Sequence, residues 1–131
     1  MKQPLILIVD DHLEILDTFR RLLEAEGYSV IISGRASSGY EEIARQQPHL
    51  ILTDLGMPDM TGIEFIQWVR RTAEFMNMPI IAMTAYDKEY LKAAIAAGAN
   101  ATFHKLDDFS KLLKTIEEAL SDAGYQVSAS A

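Results

Sequence analysis

The stretch from Leu50 to Gly62 has the sequence Leu-Ile-Leu-Thr-Asp-Leu-Gly-Met-Pro-Asp-Met-Thr-Gly. Its first four residues are mostly apolar and rich in side chains that favour strands. The run stops at the carboxylate of Asp54, before a turn that contains Gly56 and Pro58. We predict a buried strand that presents one acid at its carboxyl end. Aspartate is also a common turn former at strand ends, so Asp54 alone does not establish a function.

Three further apolar runs also end next to polar residues. They are Leu5–Val9 before Asp10-Asp11, Pro79–Met83 before Thr84, and Ala101–His104 before Lys105. If these runs are parallel neighbours, the polar residues meet at one edge of the sheet, which is where open α/β sheets bind ligands. This prediction gives Asp54 three sets of polar neighbours that are distant in the sequence.

Each predicted strand, with Tyr28–Ser33 as the second, is followed by a segment with helical periodicity. Gly27 is placed to end the first helix, Met76–Pro79 is expected to break the third, and Asp107 or Asp108 is a candidate N-cap of the last. Five strands alternating with five helices predict a doubly wound α/β sandwich with a parallel sheet. Residues expected on the inward faces of the helices include Leu22, Ala44 and Ile95.

Composition limits the classes of function. A chain of 131 residues is expected to form one domain, which we place at residues 1–123, with a disordered tail or the start of a linker at 124–131. The net charge of −7 disfavours binding to nucleic acid or to an anionic membrane, and no apolar segment is long enough to span a bilayer, so a cytoplasmic location is expected. Without cysteine, no disulfide or thiolate site can form.

The ordered set of strand-end residues is similar to the receiver domain of bacterial two-component response regulators, from Leu5 to about Leu120. The resemblance implies a flavodoxin-like (βα)5 fold with strand order 2-1-3-4-5, in which Asp54 accepts a phosphoryl group from a phosphohistidine of a sensor kinase or a phosphotransfer protein. The residues that carry the resemblance are Asp10-Asp11, Asp54 followed by Met57-Pro58 and Gly62, Thr84-Ala85, Gly98-Ala99 and Lys105.

The same resemblance implies a Mg²⁺ site. Asp11 and Asp54 would bind the ion directly, Asp10 directly or through water, and Gly56 through its backbone carbonyl. A hard divalent cation suits these oxygen ligands and would screen the negative charges of the phosphoryl donor and the acceptor. The histidines His12, His49 and His104 show no metal-ligand spacing and are expected to be structural or solvent-facing.

The resemblance also assigns the switch. Lys105 would contact a phosphoryl oxygen, and the Thr84 hydroxyl would donate a hydrogen bond and move toward the phosphate. The chain would then catalyse only its own phosphorylation and a slow autodephosphorylation. A downstream protein target would recognise the change. The surface formed by the fourth helix, the fifth strand and the fifth helix is the family's usual interaction and dimerisation face.

Two positions depart from the family pattern. Thr102 stands where a tyrosine or phenylalanine usually swings inward, so transmission is expected to rely on the loop from Thr84 to Asp87, where Tyr86 lies, or on rigidity alone. Leu106 replaces the proline that usually follows the lysine. We expect the Lys105–Leu106 bond to be cis even so, at a cost of roughly 3 kcal/mol, because Lys105 must point into the site.

Three other functions compete with this interpretation. An aspartate-nucleophile phosphatase usually carries Asp-x-Asp after the first strand, whereas Asp10 and Asp11 are adjacent. A nucleotide or flavin site after the first strand would be repelled by these acids. A receiver-like interaction module that is seldom phosphorylated is the third alternative, and Thr102 and Leu106 leave room for it.

Overall fold

The computed structural model describes residues 3–57, 59–85 and 88–125, in which five strands alternate with five helices along the chain. All strands are parallel and form one sheet in the order β2-β1-β3-β4-β5. This confirms the predicted fold and strand order. None of the helices in the described ranges combines the length and the apolar content needed to cross a bilayer. The elements are β1 (Leu5–Val9), α1 (Leu13–Ala25), β2 (Ser29–Ser33), α2 (Ala36–Gln46), β3 (Leu50–Asp54), α3 (Gly62–Arg71), β4 (Ile80–Thr84), α4 (Lys88–Ala97), β5 (Ala101–His104) and α5 (Phe109–Asp122).

Helices cover both faces of the sheet. One apolar cluster joins the sheet to α1 and α5, and a second joins it to α2, α3 and α4. Every residue of β3 and β4 is buried, as expected for parallel strands enclosed on both faces. The central strand β3 lies between β1 and β4, so Asp54 reaches the carboxyl edge of the sheet from its middle.

The third helix ends earlier than predicted. It stops at Arg71 rather than at Met76–Pro79, because Thr72 takes an extended conformation with ψ 115°. The Tyr40 and Thr72 hydroxyls form a hydrogen bond of 2.7 Å, and Phe75 packs into the core. Tyr40 also stacks on Trp68, with ring centroids 3.8 Å apart and an interplanar angle of 5°. These contacts join α2 to α3 on the outer side of the sandwich.

Three inward-facing predictions were wrong. Leu22 and Ile95 are 40% and 48% exposed, and Ala44 is also exposed. On α1, α2 and α4 the buried stripe is therefore narrower than the apolar pattern suggested. The prediction for Gly27 is confirmed, since it follows α1 with φ 96°. Asp108 occupies the N-cap position of α5, but its side chain makes no capping hydrogen bond.

His49 has the structural role expected for it. Its Nδ1 accepts the Leu5 N–H at 2.9 Å, and its ring packs edge-on against Tyr125 with centroids 4.8 Å apart. Tyr125 belongs to the predicted tail, and the remaining tail residues, 126–131, lie outside the described residues. The domain boundary at residue 123 therefore stays a prediction.

Gly62 is fixed by the close packing of α3 on the end of β3. A Cβ at this position would lie 2.3 Å from the Asp54 carbonyl oxygen and 2.6 Å from Leu55 Cα. The Gly62 N–H donates to the Leu55 carbonyl at 2.9 Å, and Thr61 caps the helix by accepting the Glu64 N–H. The first turn of α3 thus rests directly on the backbone that carries Asp54.

We expect Gly62→Ala to lower the free energy of unfolding by about 1–3 kcal/mol, because the added methyl group must displace backbone atoms. Urea denaturation monitored by circular dichroism measures this change. Gly34→Ala is the matched control: its Cβ would meet the Asp10 carbonyl oxygen at 3.9 Å, an ordinary contact. Equal losses in the two variants would contradict the close approach at Gly62.

Candidate functional site

The sheet brings four strand-end residues to one edge. Asp10 follows β1, Asp54 ends β3, Thr84 ends β4 and Lys105 follows β5. The Leu55 N–H donates to the Met83 carbonyl at 3.1 Å, and the Lys105 N–H donates to the Thr84 carbonyl at 2.9 Å. These bonds continue the sheet pairing beyond the strands and hold the backbone on both sides of Thr84. Asp10, Asp54 and Thr84 are all buried there.

Lys105 joins the two buried carboxylates. Its Nζ lies 2.6 Å from Asp10 Oδ2 and 3.0 Å from Asp54 Oδ1, and only 6% of its side chain is exposed. The expected cis peptide before Leu106 was wrong, because the Lys105–Leu106 bond is trans. The hydrogen bond from the Lys105 N–H to Thr84 already directs the lysine toward the acids. A cis bond without proline would add cost and no reach.

Burial and the neighbouring charges shift the pKa values of Asp54 and Lys105. Burial raises the pKa of Asp54, the charge of Asp10 raises it further, and Lys105 and the Leu55 N–H only partly oppose these effects. Burial disfavours the Lys105 ammonium, but the hydrogen bonds and charges of Asp10 and Asp54 outweigh it and raise the lysine pKa. Lys105 is therefore a permanent cation at neutral pH, beside an Asp54 carboxylate whose charge is costly.

His12 belongs to this cluster, although the sequence placed it among the structural or solvent-facing residues. Its ring is 57% exposed, but Nδ1 lies 3.0 Å from Asp10 Oδ1 and 3.2 Å from Asp11 Oδ1. Hydrogen bonding to Asp10 raises the pKa of the imidazole. Potential metal-ligand atoms of Asp10, Asp11, His12 and Asp54 all lie within 4.8 Å of one another. The three acids were predicted to share a site, whereas a histidine next to them in the loop has no characteristic ligand spacing, so only the coordinates add His12 to the group.

An open cavity of about 470 Å³ gives access to the cluster. Gly56 is exposed beside it, and a Cβ there would lie 3.9 Å from Asp54 Oδ2, an ordinary contact. The neighbouring atoms would therefore leave room for a side chain at position 56. The predicted role of the Gly56 carbonyl as a metal ligand stays a prediction. The lining residues are Asp11, His12, Ile15, Asp54, Gly56, Met57, Ala85 and Lys105.

The residues predicted to transmit a signal are only partly covered by the structure. Thr84 is 1% exposed, and its register partner on β5 is His104. Thr102 is half-buried opposite Ala82, so a small polar side chain occupies the position where the family usually has an aromatic ring. Tyr86 lies outside the described residues, as do Pro58 and Asp87.

Asp59 makes hydrogen bonds that the sequence did not predict. Its carboxylate accepts the N–H groups of Ala36 at 3.1 Å and Ser37 at 3.0 Å, which are the first two residues of α2. The bond from the Ser37 N–H contributes most to lowering the pKa of Asp59. The loop after Asp54 is thus tied to the amino end of a neighbouring helix, 22 and 23 residues earlier in the chain.

Comparisons with known proteins agree with this geometry. The family model of the response regulator receiver domain matches residues 6–117. The chain is 34% identical to the polar-differentiation response regulator DivK of Brucella ovis over an alignment of 125 residues, and the match covers 90% of this chain and 97% of that protein.

Solved structures give the same result. A CheY-like response regulator receiver domain protein from Methanospirillum hungatei JF-1 superposes with a TM-score of 0.85 and 34% identity, covering 93% of this chain and 97% of that one. The chemotaxis response regulator CheY4 of Vibrio cholerae gives 0.83 and 27%, covering 90% and 99%.

Asp54→Asn is expected to stabilise the folded protein at neutral pH by on the order of 1 kcal/mol. Because the pKa of Asp54 is higher in the folded state, ionisation of Asp54 costs stability. This cost is absent below the pKa of an unfolded aspartate, about 3.9, and is complete once the pH exceeds the raised folded-state value. Denaturant unfolding without divalent cations, from about pH 4 to about pH 8, measures the difference.

The matched control for this change is Asp122→Asn, at the exposed end of α5. It is expected to shift the free energy of unfolding by less than about 0.5 kcal/mol. A variant at Asp54 that is no more stable than the wild type at neutral pH would show that Lys105 fully compensates the buried charge.

Asp59→Ala is expected to reduce the free energy of unfolding by about 0.5–1 kcal/mol, the lower part of the range for a helix cap, because the carboxylate is exposed. Since the folded-state pKa of Asp59 is lowered, its contribution is present above the unfolded pKa and is lost as the pH falls toward the folded value. Asp59→Asn keeps an acceptor oxygen and should lose less. Identical stability of the alanine variant and the wild type at neutral pH would rule out the cap.

Proposed function

The chain belongs to the response regulator receiver domain family, and we propose that it is the phosphoacceptor switch of a two-component or phosphorelay system. In this proposal Asp54 takes a phosphoryl group from a phosphohistidine on a sensor histidine kinase or a histidine phosphotransfer protein. The observation that carries it is the placement of Asp54 beside an open cavity, with the Lys105 ammonium 3.0 Å from its carboxylate.

The donor set fits Mg²⁺. Three carboxylates against one ammonium leave two uncompensated negative charges in the cluster, which one divalent cation would neutralise. In this proposal Asp11 and Asp54 bind the ion directly, Asp10 directly or through water, and Gly56 through its carbonyl. When bound, Mg²⁺ screens the repulsion between the Asp54 carboxylate and the phosphoryl donor.

The transfer itself needs one nucleophile and several positioning groups. A carboxylate oxygen of Asp54 forms a bond to phosphorus, the phosphorus–nitrogen bond of the donor breaks, and the imidazole leaves with the electron pair and takes up a proton. The acyl phosphate carries about −2 where the carboxylate carried −1. Lys105 then contacts a phosphoryl oxygen, and the Thr84 hydroxyl donates a hydrogen bond as it moves toward the phosphate.

The output of this switch is a change in protein binding. The chain is proposed to act in the cytoplasm on a downstream protein target, without direct contact to nucleic acid or membrane. A homodimer through α4, β5 and α5 is part of the proposal. In this proposal the chain catalyses only its own phosphorylation and slow autodephosphorylation.

Intact mass spectrometry after incubation with acetyl phosphate tests the proposal. We expect the wild type to gain one phosphoryl group in Mg²⁺ and none in excess chelator, and Asp54→Asn to gain none. Lys105→Met tests the positioning role and should reduce the rate of incorporation by at least about tenfold, because it removes the cation that contacts the transferring group.

Two outcomes would overturn parts of this assignment. Full incorporation into Asp54→Asn would move the acceptor to another residue, and robust incorporation in chelator would remove the metal from the reaction. No incorporation into the wild type, together with no binding of Mg²⁺ in a calorimetric titration, would instead favour the interaction module that is seldom phosphorylated.

A further inference from the structure

His12 occupies the N-cap of α1, yet its side chain serves the acidic cluster instead of the helix. An N-cap side chain ordinarily accepts an N–H from the first helical turn. The His12 side chain makes no capping hydrogen bond to α1 in the described part of the chain. Its Nδ1 instead lies 3.0 Å from Asp10 Oδ1 and 3.2 Å from Asp11 Oδ1. The loop therefore places an imidazole nitrogen where two carboxylate oxygens converge.

These spacings match those between ligands of one metal ion. Two ligands at right angles around a cation with bonds of about 2.1 Å are about 3.0 Å apart. In the metal-free protein a proton on Nδ1 accounts for the contact with Asp10. A cation could replace that proton, since a neutral imidazole can carry its hydrogen on Nε2 of the same ring, which is 57% exposed.

Lys105 does not occupy this position. It bonds Asp10 through Oδ2, whereas His12 contacts the other oxygen, Oδ1. The two oxygens of one buried carboxylate thus serve two cation positions, one filled by the ammonium and one bordered by Asp10, Asp11 and His12. Asp54 has a ligand atom within 4.8 Å of this second position's ligands.

We propose that His12 is a further protein ligand of the cation and strengthens the preference of the site for first-row transition-metal ions such as Co²⁺ over Mg²⁺. The inference rests on the proposed function only in that the same acids hold a divalent cation. Mg²⁺ favours oxygen ligands, whereas imidazole nitrogen favours the later first-row metals. A carboxylate site alone already binds Co²⁺ more tightly than Mg²⁺. The contribution of His12 is therefore the part of this preference that disappears with the imidazole.

Calorimetric titration of the wild type and His12→Phe with Mg²⁺ and with Co²⁺, at about pH 8 where proton competition for the imidazole is reduced, measures that part. We define the ratio as the Mg²⁺ dissociation constant divided by the Co²⁺ dissociation constant. We expect this ratio to fall at least about tenfold in His12→Phe, with the Mg²⁺ constant changed by less than about threefold. The visible absorption of bound Co²⁺ should change in band position and intensity when the nitrogen ligand is lost. Because Mg²⁺ is titrated into the same variants, any general effect on Asp10 cancels in the ratio.

His49→Asn is the matched control, since His49 lies at the opposite edge of the sheet and asparagine retains an acceptor for the Leu5 N–H. It should leave both constants and the Co²⁺ spectrum as in the wild type. An unchanged ratio and spectrum in His12→Phe, with Mg²⁺ still bound, would overturn the inference and leave the proposed function intact. A wild type that binds neither ion would overturn both.

Discussion

The site depends on one ammonium shared between two buried carboxylates. Asp10 is fully buried and Asp54 nearly so. Lys105 contacts both, at 2.6 Å and 3.0 Å. To make these contacts it reaches from beyond β5 past β4 to residues at the ends of β3 and β1. The strand order and the trans peptide after Lys105 therefore matter chiefly because they place one nitrogen between two acids.

The two ends of the sheet are organised differently. At the end away from the site, Arg70 donates to the carbonyls of Gly98, Met76 and Met78 and to the Asn100 side chain. Burial lowers the pKa of that guanidinium. Its partners within the described part of the chain are neutral acceptors rather than carboxylates. At the carboxyl edge, the three carboxylates outnumber the single ammonium, and a further cation would be needed for neutrality. The fold thus fixes one end by satisfied hydrogen bonds and leaves an excess of acidic groups at the other end.

The sequence was sufficient for the architecture because the signals are local. Continuous apolar runs, helical periodicity and strand-end polar residues each occupy a few adjacent positions, and together they predicted the order of elements and the edge where Asp54 lies. Contacts across the chain were not predictable in this way. Neither the bonds of Asp59 to α2 nor the direction of the His12 ring follows from any spacing, because each depends on a loop conformation. The end of α3 at Arg71 was missed for a similar reason, since Thr72 is held by Tyr40 from another helix.

The stack of Tyr40 on Trp68 has an optical consequence. Trp68 is the only tryptophan in the chain, so the intrinsic tryptophan emission of the protein comes from the contact between α2 and α3. Asp59 links the amino end of α2 to the loop that follows Asp54. The fluorophore therefore lies on α3, the helix that follows this loop, and stacks against α2, the helix that Asp59 binds. The emission of Trp68 is therefore expected to respond to the position of this loop without an added label.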